Sequence, residues 1–190
     1  MIALFFQRSP RIVLPFLLLV AACSAPLVLE SKSAAVPPGV DLSGMWLLRD
    51  ESDTRRPTNQ SGLQQGIIPG GNMERTRQTR NSGGGTVAVF LEYGTSLKIT
   101  QTRYGIFISY DRSVVEEFTF GENRSVQIGP IEALRVSGWE GGSFVIETLD
   151  DSRTTLFESW RLDGGVLIRN IRIAKGEKDS FVQTQMFDRQ

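Results

Sequence analysis

The run SFVIETLDDSRTTLFESWRLDGGVLIRNIRIA, residues 143–174, decides the fold. It divides into SFVIETL (143–149), TTLFESWRL (154–162) and VLIRNIRIA (166–174), each rich in the β-branched and aromatic side chains that fit a pleated surface. Between them stand Asp150-Asp151 and Asp163-Gly164-Gly165, turn residues in connections of a few positions. Connections so short suit antiparallel hairpins, because a parallel crossover needs about a dozen residues or more. Alternation assigns the faces. Phe144, Ile146 and Thr148 share one side; Leu156 and Trp160 share one with Glu158; Leu167, Ile171 and Ile173 share one with Arg169. Two readings of these charges compete. Either they sit near strand ends or toward solvent, or they lie inside, where Arg169 needs a carboxylate such as Glu158, since an unpaired buried charge is costly.

The same punctuated pattern extends in both directions. DLSGMWLL (41–48), SLKITQ (96–101), YGIFISYD (104–111), VVEEFTF (114–120), RSVQI (124–128), ALRVSGW (133–139) and SFVQTQMF (180–187) read as further strands. Residues 86–95 (TVAVFLEYGT) fit a short helix or one more strand. The pattern predicts an all-β, antiparallel up-and-down β-barrel of about 8–10 strands, with a β-sandwich as the alternative; a meander of hairpins favours closure. Residues 41–190 form the single domain, interrupted by a long Arg/Gly-rich loop at about 49–85. That loop carries Arg55, Arg56, Arg75, Arg77 and Arg80 against Glu74, a basic island that fits an acidic partner or an anionic membrane surface.

The chain begins differently. Arg8 and Arg11 precede an apolar core from Ile12 to Val20, then Ala21, Ala22 and Cys23, the order of a secretory signal over residues 1–22. The core is about half the roughly 20 residues a membrane-spanning helix needs. Residues 23–40, rich in Ser, Ala and Pro, read as a flexible tether. Removing residues 1–22 takes Arg8 and Arg11 from 21 basic residues and nothing from 21 acidic ones, so the remainder is slightly acidic. That balance excludes nucleic-acid binding by global electrostatics.

There is no histidine and a single cysteine. The commonest general base and metal ligand is therefore missing, a Ser-His pairing is impossible, and no cofactor or metal is expected. The carboxylate pairs Glu116-Glu117 and Asp150-Asp151 read as solvated surface, and neighbours on a strand point to opposite faces. Gly70-Gly71 and Gly83-Gly84-Gly85 lack the Lys-Ser/Thr of a phosphate loop. The reading is of a non-enzyme with no catalytic residues.

Two resemblances add to this. Val20-Ala21-Ala22-Cys23 resembles the lipobox of bacterial lipoproteins. The resemblance implies that Cys23 becomes the first mature residue, acylated on sulfur and amine with chains such as palmitate, and anchors the protein in a bilayer. Ser24 in place of Asp implies passage to the outer membrane, and the periplasmic face is expected. Gly44-Met45-Trp46 is similar to the G-x-W signature of lipocalins. That likeness implies an eight-stranded barrel closed at one end by Trp46, with Arg169 or Arg172 packed over the indole. The sequence departs from the family pattern in having no Thr-Asp-Tyr turn and no helix after the last strand.

Together these features predict a lipid-anchored envelope lipoprotein acting as a non-enzymatic binding or interaction module toward a cell-envelope protein. The alternative is a lipocalin-like carrier of a lipid or small hydrophobic ligand, with Trp46, Phe107, Phe118, Phe144, Ile146, Trp160, Arg169 and Ile171 lining the cavity. A carrier needs an apolar cavity of roughly 300 Å³ or more; an interaction module tolerates a filled barrel.

Overall fold

A computed structural model describes residues 28–49 and 86–190 of the 190-residue chain. Cys23, the leader, and Arg55, Arg56, Arg75, Arg77 and Arg80 lie outside the described residues. Ten antiparallel strands form one sheet: β1 (Gly44–Leu48), β2 (Ser96–Gln101), β3 (Gly105–Tyr110), β4 (Val114–Thr119), β5 (Glu122–Ile128), β6 (Ile131–Glu140), β7 (Ser143–Asp150), β8 (Thr154–Asp163), β9 (Val166–Lys175) and β10 (Lys178–Arg189). Their order is β4-β3-β2-β1-β10-β9-β8-β7-β6-β5. Neighbouring strands are consecutive in sequence except β1 and β10, the first and last strands, which pair through Trp46–Arg189 and Leu48–Phe187. The sheet thus curls into a nearly closed barrel, as the strand pattern predicts, with ten strands where the lipocalin likeness implies eight.

Turn chemistry explains the meander. Gly141-Gly142 and Gly164-Gly165 all have positive φ, the conformation that lets a two-residue loop match the twist of its strands. The wall has one seam. β4 and β5 follow each other around Phe120-Gly121 but are not paired. At that corner β4 reaches across to β6 instead: Gly121 N–H donates to the Ser137 carbonyl at 2.8 Å, and the Ser137 hydroxyl donates to the Thr119 carbonyl at 2.8 Å. From there, among the described residues, the two strands run on unpaired.

The N-terminal residues close the corner from outside. Ser33 pairs with Trp139 through two backbone hydrogen bonds of 3.1 and 2.9 Å, using the part of β6 that β5 leaves bare. Chain passes so close to Gly138 that a Cβ there would stand 2.6 Å from the Ser33 carbonyl oxygen, so only glycine fits. Leu29 covers the outward-facing Val136 and Leu149, and Lys32 bonds both Glu140 and Glu147 at 2.8 and 3.0 Å. Residues 28–40, the described part of the expected tether, are therefore docked along the barrel. Val36, Val40 and Leu42 continue over its end and pack on the core.

Candidate functional site

One end of the interior is dry. Trp46, Leu97, Ile99, Ile106, Phe118, Phe144, Ile146, Trp160 and Phe187 interlock there. Phe118 and Phe120 meet Phe144 edge to face at 5.8 and 5.6 Å, a favourable arrangement for aromatic quadrupoles. Trp46 is buried, and its indole Nε1 donates to the Leu42 carbonyl at 3.1 Å. The cation over its ring is Arg189, at 4.4 Å. This corrects the expectation of Arg169 or Arg172. Trp46 pairs with Arg189 in register, whereas Arg169 lies deeper in the barrel and Arg172 faces outward on β9, beside Asp179.

Above this layer the interior becomes polar. Arg169 is 0% exposed. Its Nε donates to Glu158 Oε2 at 2.9 Å, its Nη2 bonds the same oxygen, and its Nη1 donates to the Glu92 carbonyl and Gln185 Oε1 at 2.9 and 3.2 Å. The guanidinium stacks 4.6 Å above Trp160. Burial works against its charge, but the Glu158 carboxylate outweighs that and holds Arg169 protonated beyond the ordinary guanidinium range. The interior reading of Arg169 and Glu158 is the one the structure adopts.

A second cluster stands at the seam. Arg135 on β6 donates to the Thr148 hydroxyl at 3.0 Å, lies 3.7 Å from Glu116 on β4, and stacks between Phe90 and Phe118. Glu116 is mostly buried, and burial, aided by the negative charge of Glu158, pushes its carboxyl up to about 7. Beside it the Tyr110 hydroxyl is fully buried, and burial raises its pKa well above the ordinary value. Glu116 lies close enough to add to that rise, yet neither Tyr110 Oη nor Glu116 Oε2 has a partner at strict hydrogen-bonding geometry among the described residues, and the indole Nε1 atoms of Trp139 and Trp160 are likewise buried without one. Buried polar atoms without partners are rare and mark water, ligand or stored strain.

The far end is the mouth, where the turns after β3, β5, β7 and β9 gather with both stems of the β1–β2 connection. It is filled by that connection. Thr86–Phe90 forms a short 3-10 helix, and Val87, Phe90 and Leu91 pack on Ala133, Leu156, Ile171 and Ile173. No strand pairing secures this segment. Val87 N–H donates to Asp150 at 3.0 Å, and Glu92 receives the Arg169 bond. Asp150 also accepts from Ser152 and Thr154, so it is a buried turn organiser.

Of the residues predicted to line a cavity, Trp46, Phe118, Phe144, Ile146, Trp160, Arg169 and Ile171 do face inward. Phe107 does not: it alternates outward from Ile106 and Ile108 and is 38% exposed. Asp150 is corrected from surface to buried and Glu116 from surface to partly buried; Glu117 and Asp151 stay exposed. Arg135, Glu116, Tyr110 and Gln185 were missed, although each shares a strand face with a buried apolar residue: Trp139, Phe118, Ile108 and Phe187. A shallow depression of about 50 Å³ lies over β1–β3, lined by Met45, Ser96, Lys98, Ser109, Arg112 and Gln190, too small for a lipid chain. Among the described residues no group of three acidic, Cys or His side chains could hold a metal, and no helix is long and apolar enough to cross a membrane.

No family model and no curated protein matches the chain. Among solved structures it is similar to lipid binding protein 8 of Caenorhabditis elegans, at 12% identity and TM-score 0.47, covering 80% of this chain and 99% of that one. It is also similar to the REP1-NXSQ fatty acid transporter, at 13% identity and TM-score 0.42, covering 79% and 96%. A secretory abundant heat soluble protein of Ramazzottius varieornatus gives 15% identity and TM-score 0.39 over 50% of this chain and 70% of its own. Likenesses at this level do not bear on what the chain binds.

Proposed function

We propose that the barrel is a non-enzymatic binding module for an apolar molecule with an uncharged hydrogen-bonding end, held at a bacterial outer membrane by an acylated Cys23. One observation carries the ligand reading. A core built for stability alone gains little from buried charges, yet this interior keeps Arg135, Arg169 and Glu158 buried, Glu116 partly so, and two unpartnered oxygens between apolar layers. Arg169 and Arg135 already have carboxylate partners, so among the described residues of this layer the acceptor oxygens open to a ligand are the neighbouring Tyr110 Oη and Glu116 Oε2. A hydroxyl or amide satisfies both. The apolar part takes the volume that Val87, Phe90 and Leu91 fill. That segment is a single 3-10 turn that pairs with no strand among the described residues.

The competing reading is an interaction module for an envelope protein, favoured by the edges of β4 and β5, which pair with no strand among the described residues and offer backbone groups to a partner strand. Binding of the neutral fluorophore N-phenyl-1-naphthylamine separates the two. The chain without residues 1–23 keeps every contact described above. It is expected to bind the probe saturably at one site, and F90A to bind several-fold tighter. Absence of saturable binding by both proteins leaves the interaction module standing.

A further inference from the structure

We infer that the mouth of the barrel is held against the lipid surface, with the Trp46 end pointing away from it. The inference rests on acylation of Cys23 and goes beyond it, because an anchor on a long free tether fixes no orientation.

The docked N-terminal strap supplies the geometry. Ser33 is bonded to Trp139, toward the Trp46 end. Traced back toward the N-terminus, the chain crosses the outer faces of β6 and β7. Lys32 is tied to Glu140 and Glu147, and Leu29 lies on Val136 and Leu149, beside the β7–β8 turn at the mouth. Val28 follows and is 71% exposed. Were residues 24–40 free, their reach would be about 50 Å and the barrel could tumble. With the strap docked, the five residues from Cys23 to Val28 span at most about 17 Å. An acyl-anchored sulfur then lies within that distance of the mouth.

The surface presented there suits the occupant. Val114 and Ile128 stand at the mouth ends of β4 and β5, the two lips of the seam, and are 38% and 45% exposed. Leu134 adds a third exposed apolar side chain, on the outer face of β6 opposite Leu149. An apolar rim within reach of its own lipid anchor buries area in the headgroup boundary that solvent otherwise covers. This also sets the seam and the 86–91 segment toward a reservoir of apolar molecules.

The test uses the full acylated chain in vesicles of phosphatidylethanolamine and phosphatidylglycerol. A thioether blocks the Cys23 sulfur, so one introduced cysteine at a time takes a fluorophore: V114C and I128C at the mouth, Y104C and D163C at the opposite end. Lipids with nitroxide-bearing chains quench by proximity. Quenching is expected to be several-fold stronger at the mouth, and the pair L29D/K32E, which releases the strap, is expected to erase the difference. Equal quenching at both ends, stronger quenching at Tyr104 or Asp163, or a difference that survives release of the strap overturns the inference. The mass of the N-terminal peptide is read first. A bare thiol at Cys23 removes the anchor and the inference with it; an acylated peptide with equal quenching overturns the orientation alone.

Discussion

The two ends of the barrel interior are built from the same alternating strands and reach different outcomes. At the Trp46 end, side chains from β1, β2, β3, β7 and β10 interlock, the indole has its acceptor, and Arg189 closes the outside. Toward the mouth the same strands contribute Tyr110, Thr148 and Gln185, with Glu116, Arg135, Glu158 and Arg169 beside them. There the space is completed by a segment that pairs with no strand. The dry end holds the fold. The polar layer and its plug are where the fold gives up stability, which is what the proposed exchange of contents would need.

Three substitutions sharpen that contrast, from the largest effect down. W46A removes an indole from the tightest packing and is expected to cost about 3–5 kcal/mol in urea unfolding, as for buried aromatic truncations generally. A loss well under that range means the dry end is not the stabilising one. E158Q leaves Arg169 buried without its counter-charge and is expected to cost about 3–5 kcal/mol, much of it recovered in the double variant E158L/R169M. Failure of the double variant to recover shows the pair to be structural cement. F90A, although it also deletes a buried aromatic ring, is expected to cost less than half of W46A, because the 3-10 segment detaches without opening the sheet. Equal costs make the plug an ordinary part of the core.

The polar layer also sets a pH dependence. Glu116 titrates near 4.5 when unfolded and near 7 in the barrel. Between those values the folded chain binds the extra proton, so this group's contribution is full below about 4.5 and is lost as pH rises through 7. The loss is on the order of 3 kcal/mol, at about 1.4 kcal/mol per pKa unit. E116Q is expected to flatten the stability profile between pH 4.5 and 7 and to be the more stable protein at pH 8. A parallel slope in the two proteins places the titration elsewhere.

How far the sequence shows this contrast depends on the residue. Strand positions came through closely, because period-two alternation and Gly- or Asp-containing turns are local signals, and the sheet obeys them from Ser96 onward. Arg169 and Glu158 were legible as a pair for the same reason. Glu116 was misassigned because it stands next to Glu117; only its shared face with Phe118 tells which of the two enters. Arg189 lies past the last residue read as strand, so the cation over Trp46 was sought on β9. The strap defeats composition altogether. A Ser-, Ala- and Pro-rich stretch is held by a backbone pair at Ser33, by Leu29 and Lys32 on the outer wall and by Val36 and Val40 over the end, and contacts so unevenly spaced leave no period to detect. The unpaired β4–β5 seam is equally silent, since pairing across it depends on curvature and not on either strand's own pattern.

The central claim is that an apolar ligand replaces the plug above a polar layer. Amide hydrogen exchange at residues 86–92, followed while N-phenyl-1-naphthylamine is titrated into the chain lacking residues 1–23, tests it most directly. Exchange there is predicted to speed up in proportion to bound probe, while Trp46, Phe144 and Phe187 keep their protection. Saturable binding that leaves residues 86–92 as protected as before contradicts the account.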